Sequence, residues 1–116
     1  MPIPSKRAAQ RARERIQSIR TTLADFELLC SGTLSQRMMK CGKPNCRCAT
    51  DPAARHGPYY EWARMRAGKP THRYVSQQQA QMLRQAIDNY RQVKQLLRDW
   101  EENTERLIDA EQSPRP

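Results

Sequence analysis

Cys41, Cys46 and Cys48, followed by His56, are the residues of this chain whose types and spacing could do chemistry. They run Cys-x4-Cys-x-Cys with the histidine eight residues on, three thiolates and an imidazole that make an acceptable tetrahedral zinc set. The Gly42-Lys43-Pro44 turn could fold the first two sulfurs onto one ion. Lys43, Arg47 and Arg55 would favour thiolates and suit a negatively charged metal site. The spacing is not the paired Cys-x2-Cys of zinc ribbons, so a second reading stands beside the first: small thiols buried beneath Tyr59, Tyr60 and Trp62. A redox role through Cys46 and Cys48 would need the context of an oxidoreductase fold, and the surrounding pattern offers none. Cys30 falls on a helical seam and reads as a core residue that could replace His56 as a ligand. His72, in a basic strand, reads as solvated or phosphate-facing.

These residues need elements to position them. From Ser5 to Leu29, and on to Cys30, the apolar and small residues Ala9, Ala12, Ile16, Ile19, Leu23, Phe26 and Cys30 alternate spacings of three and four, the seam of a helix that packs on another helix. Gly32 reads as its stop. Ser76 and Gln79 make a capping box that opens a second helix, uninterrupted by Gly or Pro to Ala110, with the stripe Leu83, Ile87, Tyr90, Val93, Leu97, Trp100 and Leu107. Between the helices the pattern turns to β: Thr33 to Lys40 alternates loosely, and Tyr59 to Arg66 and Thr71 to Val75 flank a turn at 67–70. Pairing about that turn would set Trp62 opposite Val75 and Arg64 opposite Arg73, like charges that call for an anion between them. The expected fold is therefore α+β. Two long antiparallel helices, a coiled-coil-like hairpin, flank a small three-stranded antiparallel head that zinc would stabilise. Within one domain the segments are a basic arm and first helix (1–31), the cysteine-containing head (32–75), the long helix (76–110) and a disordered tail (111–116).

Charge and composition limit what such a molecule can do. With 116 residues, 37% of them apolar and a single Phe, the chain cannot bury a large globular core. It has no run of 18 apolar residues and no secretory signal pattern, which points to the cytoplasm, without a membrane partner. Its net charge of +9 is concentrated: residues 1–20 carry +5 and residues 37–75 carry +7, whereas 76–116 are near neutral at −1. Arg37, Lys40, Lys43, Arg47, Arg55, Arg64, Arg66, Lys69 and Arg73 therefore read as phosphate contacts, and Tyr59, Tyr60 and Trp62 as rings that either stack on bases or fill the head's core. No helix-turn-helix, RNP or finger motif supports sequence-specific readout. The acidic residues lie mainly on the second helix, away from any evident cleft, so neither an enzyme nor a small-molecule substrate is expected.

The strings RMMKCGKPNCRC, RHGPYYEW and GKPTHRYVS resemble an uncharacterised family of small bacterial proteins, classed as a domain of unknown function and often encoded beside transposases and other mobile-element genes. The resemblance covers roughly residues 23–100 and implies a helix, a small β head and a second helix. It brings no catalytic residue, and its genomic setting favours nucleic acid by association. Two functions follow. One is a nucleic-acid-binding accessory protein working through the head and the N-terminal arm. The other is a protein-interaction module that dimerises or docks on a larger enzyme through Trp100 and Leu107.

Overall fold

The computed structural model describes residues 6–111; of the disordered tail expected at 111–116 all but Glu111 lies outside them, as do the first residues of the N-terminal arm. The order of elements is helix α1 (Lys6–Leu23), strands β1 (Thr33–Met39), β2 (His56–Arg66) and β3 (Lys69–Val75), and helix α2 (Gln77–Ala110). They form two compact units, Leu28–Asp88 and the combination of Met1–Glu27 with Asn89–Pro116. α2 contributes residues to both.

In the first unit an antiparallel sheet of order β1-β2-β3 packs one face on the opening turns of α2. Ser76 and Gln79 cap that helix reciprocally, as the sequence indicates: Gln79 N–H donates to Ser76 Oγ (3.1 Å) and Ser76 N–H to Gln79 Oε1 (2.8 Å). Trp62, Leu83 and Ile87 form the core, flanked by Cys30, Leu34 and Val75. Cys30 is thus a core residue, and its N–H donates to the Ala86 carbonyl at 3.2 Å.

The hairpin register differs from the one expected. Arg66 pairs with Lys69 across a two-residue turn, Ala67-Gly68, in which both φ angles are positive (51° and 77°), the backbone of a type I′ hairpin turn. Trp62 therefore faces Arg73, Arg64 faces Thr71 and Tyr60 faces Val75. A shift of two residues keeps every side chain on its expected face while removing the direct opposition of Arg64 and Arg73. On the other edge β1 pairs with β2 from Thr33↔Ala63 to Arg37↔Tyr59, then slips at a bulge before Met39↔His56.

Gly32 is not a helix stop. α1 ends at Leu23, where Asp25 and Phe26 turn back onto the carbonyls of Thr22 and Leu23, and the chain runs on without helix to β1. Thr21 and Thr22 each bond the carbonyl four residues earlier with their hydroxyls, a local competition with the helical ladder that suits a terminus. Gly32 lies instead against Trp62, at φ +118°, where an added Cβ would sit 2.5 Å from the Ala63 carbonyl oxygen and 2.6 Å from the indole nitrogen.

In the second unit the seam of α1 is buried at Ala12 and Ile19 and half-buried at Ala9, Ile16 and Leu23. On α2 the covered residues include Tyr90, Val93, Leu96, Trp100, Asn103 and Leu107, so Leu96 takes the place expected of Leu97, which is 45% exposed. From Val93 the stripe alternates steps of three and four through Leu96, Trp100, Asn103 and Leu107, a phase opposite to the four-then-three order that would have chosen Leu97. Asn103, the buried polar residue, is satisfied: its amide donates to the Asp99 carbonyl at 2.8 Å, and its oxygen accepts from Arg106 at 3.0 Å. Arg15 of α1 pairs with Asp99 of α2 at 3.3 Å.

Replacing Gly32 with alanine should cost about 2 kcal/mol or more, from backbone strain at positive φ added to the clash with the indole. Urea denaturation checks this, with a lowered midpoint at unchanged slope as the expected result.

Candidate metal centre and basic surface

The segment between β1 and β2 folds back on itself through short turns. Cys46 N–H donates to the Lys43 carbonyl (3.2 Å), and a 3₁₀ turn at Arg47–Ala49 follows directly. Asp51 then caps a second such turn, Pro52–Ala54, by accepting from Ala53 N–H at 3.0 Å. These turns return the chain to His56, the first residue of β2.

The result is that one ligand atom from each of Cys41, Cys46, Cys48 and His56 lies within 4.8 Å of all the others. Cys48 Sγ is 3.5 Å from Cys41 Sγ, and Cys46 Sγ is 3.1 Å from His56 Nε2. Tetrahedral thiolate ligation at about 2.3 Å from a central ion puts the sulfurs about 3.8 Å apart. The cluster thus fits an ion with small adjustments, and the four residues could hold a metal. Cys48 is buried and accepts from Cys41 N–H at 3.3 Å, the kind of outer hydrogen bond that fixes a ligating sulfur.

The surroundings treat the thiols unequally. The Cys48 N–H, helped by the Cys48 and Cys41 thiols, holds the Cys46 thiol below its ordinary value, outweighing burial. At Cys48 the Cys41 N–H acts to lower the value, yet burial and the neighbouring Cys46 and Cys41 sulfurs together push it up. The thiol that packs against the Trp62 core is that of Cys30, outside the Cys3His cluster.

The aromatic residues separate by face. Trp62 is buried, its N–H donates to the Ser31 carbonyl at 3.0 Å, and Arg64 lies over its ring at 4.1 Å, so it offers no free surface for a base. Tyr60 is half-buried with Arg84 over its ring at 5.5 Å. Tyr59 points to the opposite, open side of the sheet and is exposed. Tyr74, which the sequence reading passed over, lies there with it. Its place on an alternating strand two residues from His72 was the available signal.

Arg64 and Arg73 both address the Trp62 ring, at 4.1 and 5.7 Å from its centroid, and neither has a carboxylate partner among the described residues. Arg66 and Lys69 flank the hairpin turn, and Lys40, Lys43 and Arg55 are exposed around the cysteine turns. Arg37 and Arg47 differ in having acidic neighbours, Glu61 at 4.0 Å and Asp51 at 3.4 Å. His72 is paired too, its Nδ1 lying 3.0 Å from Glu61 Oε1. Trp100 and Leu107 are half-buried on α2, where Trp100 borders an outward concavity with Leu97, Thr104 and Ile108.

Fold and site together define a small α+β protein, a three-stranded antiparallel sheet with two helices and a Cys3His cluster able to hold a metal. The chain belongs to the family described as a domain of unknown function (DUF6788), whose model matches residues 7–85. That match extends further toward the N-terminus than the resemblance read from the motifs, and it stops before residues 86–100. No curated protein and no solved structure matches the chain. Among the described residues no helix is long and apolar enough to cross a membrane.

Uptake of a metal by the cluster should be visible as one ion per chain in native mass spectrometry. Chelation should lower the melting temperature by several degrees, because binding to the folded state alone stabilises it. Cys48→Ser should abolish both the ion and the chelator effect.

Proposed function

We propose that this chain is a non-catalytic nucleic-acid-binding accessory protein whose metal-stabilised β head contacts phosphates. The observation that carries the reading is the pair Arg64 and Arg73, two guanidiniums gathered on one indole with no carboxylate partner among the described residues. Stacking on the ring orients each guanidinium and leaves its in-plane N–H groups available to an anion. Their setting is cationic. Within Leu28–Asp88, ten lysines and arginines stand against Asp51, Glu61 and Asp88, a net of +7. The exposed arginines of α1 offer further phosphate contacts of their own, and the mobile-element setting implied by the motif resemblance agrees with this reading.

We assign zinc to the Cys3His cluster, since three thiolates and an imidazole are its usual closed set, and four protein ligands leave no open position for catalysis. Its part is structural: it ties the Cys41–Cys48 turns to the first residue of β2 and so fixes Lys40, Lys43, Arg47 and Arg55 beside the sheet.

A second reading, a protein-interaction module, draws on α1 and α2. Arg15 paired with Asp99 and the buried Ala12, Ile19 and Asn103 support an antiparallel hairpin of the two helices. Leu97 and Ile108 are left exposed on either side of Trp100 along α2. A second copy of the chain is the simplest occupant of that stripe.

The two readings separate experimentally. Affinity for nucleic acid should fall at least ten-fold between about 50 and 200 mM salt, and Arg64→Ala with Arg73→Ala should weaken binding and flatten the salt slope. Binding indifferent to both changes would remove the first reading. The second expects Trp100→Ala to shift the mass measured by light scattering while the head stays folded; a monomer in both cases would remove it.

A further inference from the structure

The face of the sheet turned away from α2 carries Thr33, Ser35 and Arg37 on β1, Tyr59, Glu61, Ala63 and Met65 on β2, and His72 and Tyr74 on β3. No helix or loop of the Leu28–Asp88 unit seals it: Tyr59 is 43% exposed, Tyr74 56% and Met65 63%. The tyrosine rings meet edge to face with centroids 6.3 Å apart, an arrangement that covers one face of one ring only. Tyr74 is further fixed by its hydroxyl donating to Met39 Sδ at 3.5 Å. Two aromatic side chains are thus held on a rigid strand pair with ring surface open to solvent, on an open sheet whose other face is its core.

We infer that this open face binds single-stranded nucleic acid, with Tyr59 and Tyr74 as stacking platforms for two unpaired bases. The inference rests on the nucleic-acid reading above and names its substrate class. The charge pattern selects the occupant. Glu61 stands at the centre of the face, held between His72 (3.0 Å) and Arg37 (4.0 Å), whereas cations without a carboxylate partner among the described residues stand at the margins: Arg66 ends β2, Lys69 opens β3 and Lys40 follows β1. Glu61 offsets the charge of Arg37 and is itself largely covered, so the centre of the face presents rings in place of free cations and suits bases better than phosphates. The cationic margins then take the sugar-phosphate backbone. A duplex presents phosphates outward and keeps its bases stacked on each other, so it can use the margins but not the rings.

Labelled oligothymidylate and oligouridylate about 20 nucleotides long, and a DNA duplex of the same length, test this by fluorescence anisotropy on the full chain. The single strands should bind on the order of ten-fold tighter than the duplex, and the ratio of the two separates DNA from RNA. Tyr59→Ala and Tyr74→Ala should each weaken single-strand binding on the order of ten-fold with the salt slope unchanged, and Tyr→Phe at either position should restore it. Met65→Glu, at an exposed residue of the same face, gives an independent variant and should also weaken it. Single-strand binding unaffected by the alanine and Met65→Glu variants, or a duplex bound equally well, overturns this inference and leaves the phosphate reading standing. A wild-type chain that binds none of the probes at low salt overturns both.

Discussion

The indole of Trp62 is the contact on which the head depends. Its N–H is satisfied by the Ser31 carbonyl, its body packs on Leu83 and Ile87, and Arg64 and Arg73 lie over its ring. Removing a buried ring of this size would cost about 3–5 kcal/mol, a large part of the stability of a small domain. Gly32 is the complementary constraint, because any side chain there would occupy the space of the indole nitrogen. The same residue thus fixes where β1 begins, how the sheet seats on α2, and where two guanidiniums are held.

Much of this was legible in the residues, and the departures have identifiable causes. The capping box at Ser76 and Gln79 was unambiguous because it needs only two side chains and three residues of spacing. The Cys3His set was legible as a candidate from composition, although nothing in the spacing alone said that the chain would fold back through two 3₁₀ turns to reach His56. The hairpin register was misread because alanine rarely adopts positive φ, so Ala67-Gly68 did not carry the signature of a two-residue turn and Pro70 drew the turn outward. The end of α1 was placed too late for a related reason: the apolar spacing continues through Phe26 and Cys30, but Cys30 belongs to the core beside Trp62.

The division of labour between the two sheet faces follows from alternation. One face carries the core and the stacked arginines; the other carries the open tyrosines around a paired carboxylate. A register slip by one residue would exchange them, which is why the two-residue shift at the hairpin left the chemistry of each face intact.

The sheet has two unpaired edges, and both are poor templates for further strands. β1 is interrupted by the bulge between Arg37 and Met39, and β3 presents Lys69, Pro70 and Arg73 along its length, with no amide hydrogen at the proline. Strand addition from another chain would have to cross a kink on one side and a cationic, donor-poor border on the other. The molecule can therefore leave an aromatic sheet surface bare to solvent without that surface becoming a nucleus for fibrous self-assembly.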